Sequence, residues 1–387
     1  MSGLGAPPPG GGWRDDVRAA LPGWVAARVI TLAALALAAF LRPRWPVALP
    51  GTARFARGGL LGWDADWYRR IAEHGYDGIP DQGLRFFPLL PELARTLGLG
   101  THLGIGIALL LLANGPALGV GALTSRLVRS EGGDEPLARL AATLVALAPP
   151  AFVLVMGYTE AIALCALLGA ILAARATGPP EGRSAGRWWT VAGFGLVAGL
   201  ARPTGLLLGI PLAILALDGL RRAGWAERAG RAAAVVSPAL GAAPYLIWAQ
   251  LDRGDWYAPY RVQSLPGLRG DFVDPFTRVG RALGTLIGGG VGVDAHDLWV
   301  PVAVVLLIPA IRRWSPSLVA FSVVTTVVAL SAEHLGSFER YQWASIVPVL
   351  TVAWLCRGPL ARRLAPLAAG AGLALLATLA FLGYYVP

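Results

Sequence analysis

Long apolar runs separated by short polar connectors organise this chain from residue 24 to its end. The runs are continuous and do not alternate residue by residue, which predicts helices and argues against a β-barrel. Segments with the character of membrane-spanning helices fall at 24–41, 102–123, 137–156, 160–176, 188–202, 204–220, 232–251, 298–311, 316–331, 341–356 and 364–386, eleven in all. The expected fold is therefore all-α and polytopic, one transmembrane domain over residues 13–387. Two long segments, 42–101 and 252–297, exceed the length of tight connectors, and amphipathic helices are expected within them. Residues 1–12 are rich in Gly and Pro and read as a disordered tail. The first run resembles a signal-peptide core but is long, with Arg28 interrupting its start, so an uncleaved helix is expected.

Composition agrees with this reading. Only 14% of the 387 residues are charged, against roughly 25% in soluble domains, and 55% are hydrophobic, with mean hydropathy +0.58. An ordinary soluble domain and a disordered chain are both excluded. The net charge is +10 and no lysine occurs, so all 33 basic residues are arginine. With the Ala and Gly content, this points to a high-GC bacterial genome and a bacterial plasma (inner) membrane. No basic helix or aromatic platform suggests nucleic-acid binding. Cys165 and Cys356 sit inside apolar runs and read as small hydrophobes, with no metal-ligand or disulfide spacing.

The arginines orient the chain. One alternating set of connectors holds Arg14 and Arg18, then Arg126, Arg129 and Arg139, then Arg175, Arg183 and Arg187. It continues with Arg221, Arg222, Arg228 and Arg231, with Arg312 and Arg313, and with Arg357, Arg362 and Arg363. The short connectors of the other set hold only Arg202 and Arg340. The first set is therefore cytoplasmic, the N-terminus is inside, and both long loops lie outside. Arg202 and Arg340 break the positive-inside pattern on the outer side, which makes them functional candidates.

On that same side lies the stretch WDADWYRRIAEHGY from residue 63. Trp63, Trp67 and Ile71 recur at i, i+4 and i+8, which predicts a short interfacial helix. Asp64 stands just past its start, where a carboxylate is favoured; Asp66 faces elsewhere. RFFPLLPEL follows, with Arg85 ahead of Phe86 and Phe87 and two prolines that break regular helix. Its apolar bulk suits a groove for a lipid chain. Glu160 stands at an outer helix start in GYTE, where capping is the plain alternative. In ARPTG, Pro203 occupies a first-turn position and Gly205 allows close approach. In FERYQW, Glu339 beside Arg340 could be a plain ion pair. Arginine forks bind phosphate bidentately, a carboxylate can take a proton from a hydroxyl, and aromatic borders hold sugars and lipid tails. Together they suggest group transfer from a lipid-linked phosphate donor.

These residues carry a resemblance. GWDADWYRRIAEHGY with RFFPLLPEL resembles the WD-x-x-WY-x-x-IA-x-x-GY…FFPLxP signature of the PIG-V (GPI mannosyltransferase II) family and its bacterial homologues. GYTEAIALCALL, GLARPTGLLL, GDWYAPYRVQSLPGLRG and FERYQWASIVP resemble further segments of that family, in the same order, over roughly residues 60–350. Pro266 and Gly267 depart from the pattern, standing where a tryptophan is usual. The resemblance implies the GT-C class of multi-pass glycosyltransferases. The implied reaction is inverting transfer of mannose from polyprenyl-phosphate mannose to a glycolipid, glycan or protein hydroxyl, on the extracytoplasmic face among membrane lipids. Residue by residue, it implies Asp64 as catalytic base, with Asp66 as a lesser second acid. Arg202, Arg340, Tyr341, Arg85, Phe86, Phe87 and Arg269 fall to the donor phosphate and lipid. Trp63, Trp67, His74, Tyr76, Glu160 and Gln263 fall to the sugar or acceptor. No cofactor is expected, and a divalent cation beside the phosphate stays open. Two alternatives stand beside it: a lipid or lipid-linked sugar flippase, and a catalytically inactive relative. A flippase calls for mid-membrane charges and an internal repeat, whereas here the charges cluster at helix ends and Asn114 is the main mid-span polar residue.

Overall fold

The computed structural model describes residues 12–44, 52, 56–176, 185–288 and 295–384. The expected tail at 1–12, apart from Gly12, and Arg183 lie outside them. The described residues are helical, with no strand. In chain order the helices are α1 (Trp13–Leu41), α2 (Asp64–His74), α3 (Leu89–Leu97), α4 (His102–Ser130), α5 (Glu135–Leu147) and α6 (Glu160–Arg175). Next come α7 (Ala185–Ala201), α8 (Gly209–Leu217), α9 (Trp225–Arg253), α10 (Ala258–Arg261) and α11 (Pro275–Ile287). The last five are α12 (Trp299–Arg313), α13 (Pro316–Leu330), α14 (Phe338–Ala344), α15 (Val347–Leu355) and α16 (Pro359–Leu382).

The protein is an all-α polytopic membrane protein, but the eleven expected spans are not alike. Among the described residues, five helices are long and apolar enough to cross a membrane: α1, α4, α9, α16 and the stretch Ala295–Arg313 containing α12. The other expected spans are helices of 9 to 17 residues. The breaks have local causes. A 3-10 segment begins at the Pro149–Pro150 pair, another at Pro203, and Ile346 at φ 66° separates α14 from α15. Proline removes a helical donor and crowds the preceding turn, and left-handed backbone ends a helix.

α1 packs among α4, α5 and α16, while α6 lies against α4 and α7. α7 and α9 cross in close contact because glycines line the crossing. A Cβ on Gly199 would meet the Pro238 carbonyl oxygen at 1.9 Å, and one on Gly241 the Leu196 oxygen at 2.2 Å. Without a hydrophobic drive between helices in lipid, such close approach is how dispersion holds them together.

Several arginines counted as topology signals are neutralised. Asp16 is fully buried and pairs with Arg126 at 2.6 Å and with Arg129. Arg175 pairs with Glu131, and Arg231 with Glu227. Arg28 lies midway along α1, so charge is not confined to helix ends. Its Nε donates to Asn114 Oδ1 at 2.9 Å and its Nη2 to the Leu154 carbonyl at 3.1 Å. Asn114 Nδ2 in turn donates to the Val155 carbonyl at 3.0 Å. Broken backbone inside a membrane needs such donors, because no water replaces the helical ones. Asn114→Leu should cost about 1–3 kcal/mol for the buried groups it strands. Thermal unfolding in detergent reads this, and an unchanged midpoint would remove Asn114 from the support of this break.

In the segment 42–101, α2 forms where the aromatic spacing predicts it. Trp67 and Ile71 are buried against protein, with Trp67 stacked on Phe86 at 5.7 Å. Phe87 is fully buried against Tyr245 and Tyr260. The expected lipid groove on Phe86 and Phe87 is therefore corrected: Trp67 and Tyr68 of α2 take the Phe86 ring, and aromatic neighbours from α9 and α10 take that of Phe87.

Candidate active site

The local chain places Asp64 through an unusual turn. Trp63, which precedes α2, has φ 56°, a left-handed conformation that a bulky side chain adopts only when its surroundings fix it. Its buried indole provides that, with Nε1 donating to the Ala380 carbonyl of α16 at 3.0 Å. The turn makes Asp64 the first residue of α2, and its backbone N–H donates to the Tyr158 hydroxyl at 3.1 Å. Four non-glycine residues have positive φ among those described: Trp63, Leu99, Ser337 and Ile346. Three of them flank the helices of this site, since Ser337 and Ile346 bracket α14. Backbone strain of this kind gathers where side chains must be held in place.

Asp64 meets residues far along the chain. Arg340, on α14, donates through Nη1 to Asp64 Oδ2 at 2.8 Å. Its Nε lies 3.4 Å from Glu160 Oε1, and Arg202 Nη1 lies 2.5 Å from that same oxygen. The result is a chain of alternating charge, Asp64–Arg340–Glu160–Arg202. Glu160 and Arg340 are only 2% and 6% exposed, whereas the Asp64 side chain retains 19%. Burying ions costs several kcal/mol each unless they are paired, which alternation achieves. Burial works against the Arg340 charge, yet Asp64 and Glu160 outweigh it and hold the guanidinium well above the ordinary arginine range. Burial, and then the Asp64 carboxylate, push the Tyr158 phenol up, so it keeps its proton.

Around this chain stand aromatic faces. The Arg340 guanidinium lies 5.6 Å from the Tyr158 ring centre and 5.9 Å from that of Tyr341. Arg269 covers Tyr341 at 5.3 Å and is anchored to the Val328 and Ala329 carbonyls. A narrow crevice of about 50 Å³ leaves the site between α6, the 3-10 segment Pro203–Leu208 and α13, with Glu160, Arg202 and Tyr341 at its polar end and Leu164, Leu167, Leu208 and Phe321 along it. Among the described residues, no three His, Cys, Asp or Glu side chains gather to hold a metal ion.

The turn at Arg202 depends on Gly205. A Cβ there would sit 1.9 Å from the Ala198 carbonyl oxygen, inside α7. Gly205→Ala must shift the 3-10 segment that follows Arg202. It should cost about 1–3 kcal/mol, as overpacking does, and weaken any activity that needs Arg202. Wild-type thermal stability and activity in this variant would exclude a positioning role for the turn.

Asp64, Glu160, Arg202, Arg340 and Tyr341 thus come together, with Arg269 beside Tyr341. Other candidates do not join them. Asp66 pairs with Arg69 at 2.6 Å. Arg85 lies over Phe86 at 4.8 Å. His74 is exposed next to Glu73. Tyr76 donates to the Phe86 carbonyl and packs on Tyr245 and Trp248. Gln263 is half-buried and accepts from the Arg269 backbone through its own carbonyl. The plain alternative for Glu160, a helix cap, gives way to its two arginines. Glu339 does not pair with Arg340; it meets His296 at 2.7 Å. Tyr158 went unassigned from the sequence, though it lies in the same GYTE segment as Glu160.

No family model and no curated protein matches this sequence. Among solved structures, the chain is similar to the Archaeoglobus fulgidus oligosaccharyltransferase crystallised with Zn and sulfate. Identity is 13% over 92% of this chain and 53% of that one, with a TM-score of 0.46. It is also similar to the archaeal oligosaccharyltransferase AglB from A. fulgidus in complex with an inhibitory peptide and a dolichol-phosphate. There the figures are 12% identity, 92% and 56% coverage, and a TM-score of 0.45. The chain spans little more than half the length of these proteins.

Proposed function

We propose that the protein is an inverting glycosyltransferase that moves mannose from polyprenyl-phosphate mannose to an acceptor hydroxyl on the extracytoplasmic face. One observation supports this above the others: a partly exposed carboxylate, Asp64, shares a buried cluster with two arginines from distant segments. The mannosyl donor and the sidedness rest on the sequence resemblance and the arginine distribution.

In this reading the donor phosphate lies against Arg202 and Arg340, whose forks exchange part of their carboxylate pairing for phosphate oxygens. Asp64 takes the acceptor hydroxyl proton. The freed oxygen attacks the anomeric carbon from the face opposite the phosphate, the carbon–oxygen bond to phosphate breaks, and polyprenyl phosphate leaves with the bonding pair. The arginines stabilise the charge growing on the leaving oxygen, and one such donor is worth about 3–4 kcal/mol. A single carboxylate suffices for inversion, whereas retention needs a second as nucleophile. Glu160, already held by both arginines, orients them.

Proteoliposomes containing the purified protein, given polyprenyl-phosphate mannose labelled in the sugar and a panel of hydroxyl acceptors, test the reading. A mannosylated product of anomeric configuration opposite to the donor is expected. Intact labelled donor crossing the bilayer without cleavage would replace the enzyme with a flippase, and product of retained configuration would reject the single-base mechanism.

A further inference from the structure

α14 has a second face. Glu339, Gln342 and Trp343 follow at i, i+3 and i+4, so they share a side, and all three line a second crevice of about 150 Å³. Arg340, two residues from Gln342, faces the Asp64–Glu160 cluster instead. The second crevice runs between α12, α15 and α16, both α12 and α16 being candidate spans. Its walls are apolar, and Val302 on its α12 side is exposed on the helix surface, which in a membrane is bilayer. Water has too few polar partners along such walls to be held there, so the fitting occupant is hydrocarbon.

The polar groups of this crevice specify the head. Gln342 is 5% exposed; its Oε1 accepts from Thr326 Oγ1 at 2.8 Å, and its Nε2 has no hydrogen-bond partner among the described residues. Such an orphan costs about 1–3 kcal/mol. Glu339 is 2% exposed and meets His296 Nδ1 at 2.7 Å. No arginine lines this crevice, unlike the first. A phosphate or carboxylate head would face Glu339 unpaired, and an ammonium could accept nothing from Gln342. A hydroxyl suits both, accepting from the amide and donating to the carboxylate. We propose that this crevice binds a membrane lipid alcohol, its chain along α12 and α15 and its hydroxyl between Gln342 and Glu339. The site stands whether or not the protein transfers sugars.

The test uses the full chain in nanodiscs with three photoreactive probes of equal chain length: a diazirine long-chain alcohol, its methyl ether and the matching carboxylate. Labelling of residues 299–306 and 343–352 by the alcohol is expected, about three- to tenfold above the ether, as one hydrogen bond in a dry site allows. Gln342→Leu should bring the alcohol down to the ether's level. Ala369→Phe, a half-buried lining position remote from the polar pair, should block labelling by every probe, and it serves if Gln342→Leu fails to fold. Equal labelling by alcohol and ether, preference for the carboxylate, labels scattered over the lipid-facing surface, or undiminished labelling of Ala369→Phe would each overturn the proposal.

Discussion

Asp64→Asn is expected to reduce mannosyl transfer about 10²- to 10⁴-fold, the usual contribution of a positioned general base, with little change in folding. The asymmetry follows from the geometry. An amide oxygen can still accept from Arg340 Nη1, which lies 2.8 Å from Asp64 Oδ2, and the Asp64 backbone bond to Tyr158 involves no side chain. The charge of the carboxylate and its capacity to take a proton are lost, while Arg340 keeps its ion pair with Glu160. The check is the initial rate with labelled donor in proteoliposomes, beside an unfolding midpoint in detergent. A rate within about tenfold of wild type would remove Asp64 as base. Asp66→Asn serves as control: that carboxylate pairs with Arg69 outside the cluster, and its rate should stay near wild type.

Arg340→Met should damage both stability and activity. Arg340 is the only cation shown touching both Asp64 and Glu160 among the described residues. Without it, Asp64 loses its ion pair, and buried Glu160 keeps only Arg202. Breaking a buried pair by removing one partner costs about 3–5 kcal/mol. Arg340→Lys should fall between, because a point charge cannot reach both acids as a fork does. The double variant Asp64→Asn with Arg340→Met is the informative one. It leaves Glu160 and Arg202 as a neutral pair, so its loss should be at least about 1 kcal/mol smaller than the sum of the singles. Additive losses, or an Arg340→Met protein as stable as wild type, would show that the charges do not act as one network. Transfer should be undetectable in both Met variants whatever the stability result.

Much of the local structure was legible in the sequence. The spacing of Trp63, Trp67 and Ile71 foretold α2, and the position of Pro203 foretold a turn start. Gly205 is the close approach it was read to be. Each is a statement about neighbours within one or two turns, where side-chain period, proline and glycine act directly on the backbone. The same reasoning overcounted full-length spans, because hydropathy sums apolar residues and does not weigh left-handed residues such as Ile346. It also gave Phe86 and Phe87 to lipid, since bulk alone does not say whether Tyr245, Tyr260 and Trp67 will take the surface first.

By itself, then, the sequence determined the helical membrane character and the segments that could carry chemistry. It also marked Arg202 and Arg340 as exceptions on one side. Only the tertiary structure decided the pairing. Thirty-three arginines and 23 acids offer many combinations, and local patterning cannot choose among partners as far apart as Asp64 and Arg340. Burial makes that choice: a charge taken out of water is tolerated only where packing brings an opposite one within reach. For the same reason Glu160 emerged as the centre of the site, and Glu339, beside Arg340 in the chain, turned to His296 and a different crevice.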